Sequence, residues 1–286
     1  MARYITPHSL AEALQILSQE EHCLPLAGGT DLTLLVRDRT IHAECLLDIS
    51  KLPELIGVHQ EGGEIRIGPS TTLADVASSP QLPVVLRTGA GWIGSPQIRA
   101  LGTIGGNICN ASPCGDTLSP LLVLDGRFRL RSAGREREVP VEAFFLGPKR
   151  TILTRGELLV DIRIPLVHPR SQEEWRSAFQ KIGGRGAQTI AQVNLAISAY
   201  FKDGILRQPR LAVGSAAPTP IRIRTVEQIL EGQRLGNGVI AHAAERLSAE
   251  IRPICDQRAS DQYRRRVVQT LFRDALATLT EQEVYS

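Results

Sequence analysis

The 286-residue sequence contains no run of about 18 consecutive apolar residues, so it predicts no membrane-spanning helix. Met1-Ala-Arg-Tyr-Ile-Thr-Pro7 lacks the apolar segment of a secretory leader, and no signal peptide is expected. The five cysteines are odd in number and scattered, which predicts reduced thiols in a cytoplasmic protein rather than a disulfide scaffold. Cys109 and Cys114 lie close together, but no second pair completes a zinc or iron–sulfur ligand set. They read as small apolar loop residues, and no metal is expected. The six histidines form no HxxxH or HExxH pattern, and no GxSxG is present. Gly183-Gly-Arg-Gly186 lacks the Lys-Ser/Thr ending of a phosphate-binding P-loop. Hydrolase and NTPase readings fall away, no catalytic side chain is assigned, and no internal repeat is evident.

What is present describes an ordinary globular chain, with 42% hydrophobic and 22% charged residues. Its length suits two domains. The net charge of +3 is spread out, and the densest basic run, Arg264-Arg265-Arg266, reads as a solvated helix face rather than a nucleic-acid patch. Ser9-Leu-Ala-Glu12 predicts a capping box, followed by an apolar stripe at Leu10, Ala13, Leu14 and Leu17. Thr72–Asp75 opens another helix in the same way. Cys23–Ala27, Gly28-Gly29 and Leu32–Val36 read as a strand, a glycine turn and a helix start. Cys45–Ile49, Glu64–Ile67, Phe128–Arg131, Arg137–Pro140 and Leu158–Pro165 read as strands, and Leu82–Trp92 as a helix. The polar stretch Val167–Glu174 marks a domain boundary. Beyond it, Ala191–Phe201 and Ile205–Val213 form a hairpin through Lys202-Asp203-Gly204. Three helical segments close the chain, the last with Tyr263, Val267, Leu271, Ala275 and Leu279 at every fourth position. Strands followed by segregated helices predict α+β modules, not one doubly wound sheet.

Two glycine-rich segments carry the chemistry. Backbone amides can crowd around a phosphate only where no side chain shields them, and glycine reaches the positive φ that turns successive N–H groups inward. Gly28-Gly29 and Gly105-Gly106 offer this twice, beside Thr30 in one case and Thr103, Asn107 and Asn110 in the other. Paired glycines also mark plain tight turns, and the residues alone leave both readings open. Asp31 and Asp116 would repel phosphate; they suit a helix cap, a ribose hydroxyl or water. Gly89-Ala-Gly91-Trp-Ile-Gly94 matches GxGxxG, but Ser95-Pro96 cuts off the helix that a dinucleotide fingerprint needs. Lys181 and Arg185 are open to two readings: contacts of an anionic or electron-rich ligand, or solvated cations after a strand.

Leu26-Ala-Gly-Gly-Thr-Asp-Leu32, then Ile93-Gly-Ser-Pro-Gln-Ile-Arg99, then Thr103-Ile-Gly-Gly-Asn-Ile-Cys-Asn-Ala-Ser-Pro-Cys-Gly-Asp116 stand in that order. With Glu157–Pro165 and Phe179–Arg185, this order resembles the FAD-binding medium subunit of xanthine dehydrogenase and carbon monoxide dehydrogenase type molybdenum hydroxylases. The resemblance spans nearly the whole chain. It implies an α+β fold in which a two-lobed FAD-binding domain of the vanillyl-alcohol-oxidase (PCMH) type occupies residues 1–170, with lobes of about 1–57 and 58–170. A C-terminal domain of a small sheet plus helices follows over 171–286. It also implies a large molybdopterin subunit and a small [2Fe–2S] subunit as partners, in a dimer of heterotrimers. Electrons would pass from the clusters through FAD to NAD or another acceptor, while the hydroxylated substrate binds a different polypeptide.

By the same resemblance, Pro25, Leu26, Ala27, Gly28, Gly29, Thr30, Asp31 and Leu32, with Thr103, Ile104, Gly105, Gly106 and Asn107, line the diphosphate. Cys109 lies in the second segment, and Asn110 and Asp116 reach the ribose or ribityl region. Ile93 and Gly94 approach the ring system, Leu159 packs near adenine or flavin, and Lys181 lies close to the isoalloxazine, with Gln180 a competitor for that place. The sequence has no cysteine-rich insert of the kind that holds a [4Fe–4S] cluster in some relatives. Thr30 stands where covalently flavinylated cousins carry His, so FAD is expected to be noncovalent. Rival readings are a stand-alone FAD oxidase, which would need its own base near the flavin, and a nucleotide-binding regulatory module without redox partners.

Overall fold

The computed structural model describes residues 2–167, 173–186, 188–254 and 256–281. Cys255 and positions 168–172 of the expected boundary lie outside them.

The first lobe is built from β1 (Arg3–Ile5), α1 (Leu10–Gln19), β2 (Cys23–Leu26), α2 (Leu32–Arg37) and β3 (Cys45–Asp48). Its three strands are parallel in the order β1-β3-β2. Ser9 Oγ caps α1 by accepting from the Glu12 amide at 3.2 Å. The expected return bond is displaced by one residue, since the Glu12 carboxylate accepts from the His8 amide at 2.7 Å. Leu10, Ala13, Leu14 and Leu17 are buried against β2 and β3, as the apolar stripe requires.

The second lobe runs through β4 (Val58–Glu61), β5 (Glu64–Ile67), α3 (Leu73–Ser78), α4 (Val84–Gly91), α5 (Pro96–Leu101), α6 (Ile104–Cys109), α7 (Leu118–Val123), β6 (Arg127–Arg131) and β7 (Glu136–Pro140). It continues with α8 (Val141–Phe144), the short pair β8 (Phe145–Gly147) and β9 (Arg150–Thr151), and β10 (Leu158–Pro165). The five-stranded sheet is antiparallel in the order β4-β5-β10-β6-β7. β10 is central and serves two cores. Leu158 and Val160 face the first lobe, whereas Leu159, Ile162 and Ile164 face the second, with a register shift between Leu159 and Asp161. Ser95-Pro96 ends one helix and starts the next: Pro96 takes the first turn of α5, where its missing N–H is harmless, and Ser95 Oγ accepts from the Ile98 amide at 3.3 Å.

The C-terminal part comprises β11 (Glu174–Gly183), β12 (Ala191–Lys202), β13 (Ile205–Gly214), β14 (Ile221–Arg222), α9 (Arg224–Leu230), α10 (Asn237–Glu250) and α11 (Asp261–Glu281). The four strands pair in sequence order, all antiparallel. Asp203 at φ 54° and Gly204 at φ 76° make the two-residue turn that a right-twisted hairpin favours. β12 is buried along most of its length because both faces are covered. Val193, Leu195, Ile197 and Ala199 meet the helices α9–α11, while Ala196, Phe179 and Ala212 join the second lobe's core under α4 and α7. On α11 the buried face is Arg264, Val268, Leu271, Phe272, Ala275, Leu276 and Leu279, rotated by about one position from the predicted stripe, and Tyr263 is exposed. Of the basic run read as a solvated face, Arg266 is exposed and Arg265 partly so, but Arg264 departs from that reading. It is 2% exposed, and its guanidinium donates to Gln192 O (2.6 Å), Ser215 O (2.8 Å) and Asp256 Oδ1 (2.7 Å), which satisfies the charge where the helix meets the strand ends.

Candidate functional site

A cleft of about 730 Å³ opens between the two lobes. Its walls are the 24–32 turn of the first lobe, Pro69-Ser70, the 102–110 segment, Lys149 and Glu157–Leu159. Of the residues expected to bind a ligand, Pro25 to Leu32, Ile93, Thr103, Gly105, Gly106, Asn107, Cys109, Asn110 and Leu159 line this one space. Distant stretches of chain are thus brought together by the packing of lobe on lobe. Four expected residues are not on its wall. Ile104 is fully buried, its side chain turned into the second lobe's core. Gly94, at φ 53°, forms the turn between α4 and α5. Asp116 and Lys181 are paired with each other in the interior.

The two glycine pairs play different parts. Gly28 has no room for a side chain: a Cβ there would stand 1.9 Å from Leu101 O, so the turn is pressed against the end of α5. Gly29 has φ 70°, which glycine adopts freely. Among the described residues, the amides of Gly28, Gly29, Thr30, Asp31 and Leu32 donate to no acceptor. Five successive donors are thus left without protein partners at a cleft wall, where an anionic group could accept from them. The amides of the second pair are occupied. Gly105 N–H donates to Pro69 O at 2.8 Å, and Gly106 N–H to Thr103 Oγ1 at 3.1 Å. This corrects the expectation of two anion nests. Gly105 is needed because a Cβ would stand 2.5 Å from Pro69 Cβ and 2.6 Å from Pro69 O. Gly106 meets only Thr103 Oγ1, at 3.0 Å, so its missing side chain leaves the cleft floor low.

The glycines of GxGxxG serve packing. Gly89 lies inside α4, where a Cβ would come within 2.4 Å of Asp116 O, and no strand precedes it directly. That contact sets α4 against the loop holding Asp116. The Asp116 carboxylate accepts from Lys181 Nζ at 2.5 Å and from Asn194 Nδ2 at 3.0 Å, and Lys181 also donates to Trp92 O at 3.2 Å. Burial pushes the Asp116 carboxyl up to about 6, against the pull of the Lys181 charge. The pair therefore joins the second lobe to β11 and β12. Arg185 donates to Gln188 O at 2.7 Å.

Two features escaped the sequence reading. Glu157 lines the cleft, but a bidentate fork from Arg137 (2.8 Å to each oxygen) holds its carboxyl down to about 2. Glu157 is thereby an ionised structural group and not a base. Lys149 stands on the β8–β9 turn, where the Gly147-Pro148 dipeptide was the available signal. Its ammonium donates to Asn110 Oδ1 and lies 3.6 Å from Asp31 Oδ2. No His or Tyr is among the described lining residues.

Comparison with known proteins identifies the family and the fold. Residues 1–167 match the family described as the FAD binding domain in molybdopterin dehydrogenase, and residues 177–279 match the CO dehydrogenase flavoprotein C-terminal domain. The chain is 32% identical over 281 residues to the xanthine dehydrogenase FAD-binding subunit of Escherichia coli O157:H7, covering 96% of this chain and 95% of that one. It is 33% identical over 276 residues to the glyceraldehyde dehydrogenase medium chain of Sulfolobus acidocaldarius, covering 94% of each. In three dimensions it superposes on a chain of reconstituted CO dehydrogenase from Oligotropha carboxidovorans with a TM-score of 0.92 at 27% identity, covering 99% of both.

Proposed function

We propose, for a chain that belongs to the FAD-binding subunits of the molybdenum hydroxylases, that the interlobe cleft holds FAD noncovalently and that the protein's task is electron transfer. The observation that carries this is the strip of partnerless amides from Gly28 to Leu32 on the wall of a cleft of about 730 Å³, a size within the ~300–1,000 Å³ typical of cofactor pockets. Those amides would take the diphosphate, since they are fixed donors needing no reorganisation. Gly106 would admit it to the floor, and Asn107 and Asn110 would supply side-chain amides nearby. Ile93, Leu159, Leu26 and Leu73 form apolar wall that would flank the rings and exclude water. Bound FAD supplies the redox chemistry; the chain binds it, orients it and sets its surroundings.

In this reading the chain receives electrons from the [2Fe–2S] clusters of a small partner subunit and delivers them to NAD or another acceptor. A large molybdopterin subunit carries out the hydroxylation, and the assembly is a cytoplasmic dimer of heterotrimers. The described cysteines are free thiols, and among the described residues no helix is long and apolar enough to cross a membrane. Relatives named for xanthine and glyceraldehyde resemble this chain about equally, at 32% and 33% identity, which supports a substrate site on another subunit. The absorbance spectrum of the purified protein tests the cofactor assignment: flavin bands released on denaturation support it. An organic substrate that reduces the isolated chain without partner subunits would instead establish the stand-alone oxidase.

A further inference from the structure

We infer that Lys149 is the cation that meets the diphosphate, held between the lobes by two provisional partners that it exchanges when the cofactor enters. The inference rests on the cleft taking FAD. Among the described lining residues Lys149 is the one cation, and the carboxylates there are Asp31 and Glu157. Glu157 is neutralised from behind by Arg137. Asp31 is not, and its charge in the amide turn opposes any anion. Its visible compensation is the Lys149 ammonium at 3.6 Å.

Lys149 is built into this place. It has φ 60°, in the left-handed region that residues with a Cβ seldom occupy. Its amide donates to Ala111 O at 2.9 Å, and Ala111 is itself left-handed at φ 46°. Two uncommon backbone conformations thus strap the β8–β9 turn to the end of α6 and aim the side chain at the cleft. Asp31 occupies the cap position of α2 yet makes no side-chain cap bond, and lies beside Lys149 instead. The ammonium therefore touches the first lobe through Asp31 and the second through Asn110.

A diphosphate carries two negative charges where Asp31 carries one, so the ammonium gains by changing partners. Asp31 is then released to accept from a hydroxyl or from water. The consequence is selectivity for phosphorylated flavin: Lys149 and the amide strip recognise the diphosphate, whereas a phosphate-free flavin leaves the Lys149–Asp31 contact in place.

The test is flavin-fluorescence titration of the full-length apoprotein with FAD and with riboflavin, for wild type, Lys149→Gln, Lys149→Arg and Asp31→Asn. Lys149→Gln is expected to weaken FAD by about tenfold, the worth of one charge-assisted bond at a half-exposed site, and to leave riboflavin unchanged. The FAD loss shrinks in high salt. Lys149→Arg retains most of the FAD affinity, and Asp31→Asn raises it. Equal loss of FAD and riboflavin in Lys149→Gln, or unchanged FAD, would overturn the role of Lys149 while leaving the FAD site standing. Wild-type protein that binds neither flavin overturns both.

Discussion

At the scale of single residues, charge is placed in this protein by its partners. Asp116 and Lys181 are both buried, so each is tolerable only beside the other. Asp116→Asn or Lys181→Met alone leaves an uncompensated buried charge and is expected to destabilise the fold by about 3–5 kcal/mol. The double substitution is expected to lose much less than the sum, as read from urea midpoints; strictly additive losses would refute the pairing. Glu157 yields a pH dependence. Its carboxyl drops from an ordinary 4.5 to about 2, first through the Arg137 hydrogen bonds. Folding therefore favours its ionised form. The contribution is complete above pH 4.5 and disappears as the pH falls through about 2. Solvent screening keeps it below the ~3 kcal/mol that the full shift would correspond to. Glu157→Gln should remove that part of the acid slope in denaturation curves taken across the window, and an unchanged slope would count against the fork.

Among elements, the adjacent glycines of α6 separate folding from binding. A methyl on Gly105 would be driven into Pro69, both backbone and ring. Gly105→Ala is therefore expected to lower thermal stability by about 2 kcal/mol or more. Gly106 faces open space apart from Thr103 Oγ1. Gly106→Val should fold, with near-wild-type circular dichroism, yet retain no FAD through gel filtration, because its side chain raises the cleft floor. A folded Gly106→Val that keeps FAD at wild-type strength would contradict the proposed site. The elements themselves were largely legible: the Ser9 and Thr72 caps, the hairpin at Asp203-Gly204 and the terminal helices all arise from signals a few residues long. The face of α11 was misjudged by one position because a four-residue repeat drifts against a helix of 3.6 residues per turn. Arg264 could then be buried, since its charge is met by carbonyls whose approach local spacing does not reveal.

For the whole molecule, the seam between its two parts is the informative feature. Phe179, Ala196 and Ala212 of the C-terminal sheet belong to the core under α4 and α7. Asn194 and Ser198 complete that seam, donating to Asp116 Oδ1 and to Val123 O respectively. The sheet is consequently covered on both sides, and neither half closes its own core. Chains of residues 1–167 and 173–286 produced separately are expected to aggregate or bind hydrophobic dye, and to recover a single cooperative unfolding transition when co-expressed. Halves that each unfold cooperatively on their own would show the seam to be dispensable.

The sequence alone determined the α+β character, the spans of α1, β3, β5, β10 and the β12–β13 hairpin, and the order of the two glycine segments, because capping, turn formation and hydrophobic periodicity operate over three or four residues. Contrary to the sequence reading, Pro96 does not exclude a dinucleotide fingerprint at Gly89–Gly94, because it starts α5 instead of preventing a helix; what excludes the fingerprint is that Gly89 and Gly91 lie at the end of α4, with no strand directly before them. Tertiary structure alone decided which glycine pair keeps free amides. Gly105 N–H is taken by Pro69 O, from a segment more than thirty positions earlier in the chain, while Gly28 to Leu32 find no such acceptor among the described residues. It decided likewise that Asp116 meets Lys181, and that Lys149 bridges the lobes. Whether a donor is satisfied or a charge neutralised depends on groups distant in sequence, and those come together only when the lobes pack.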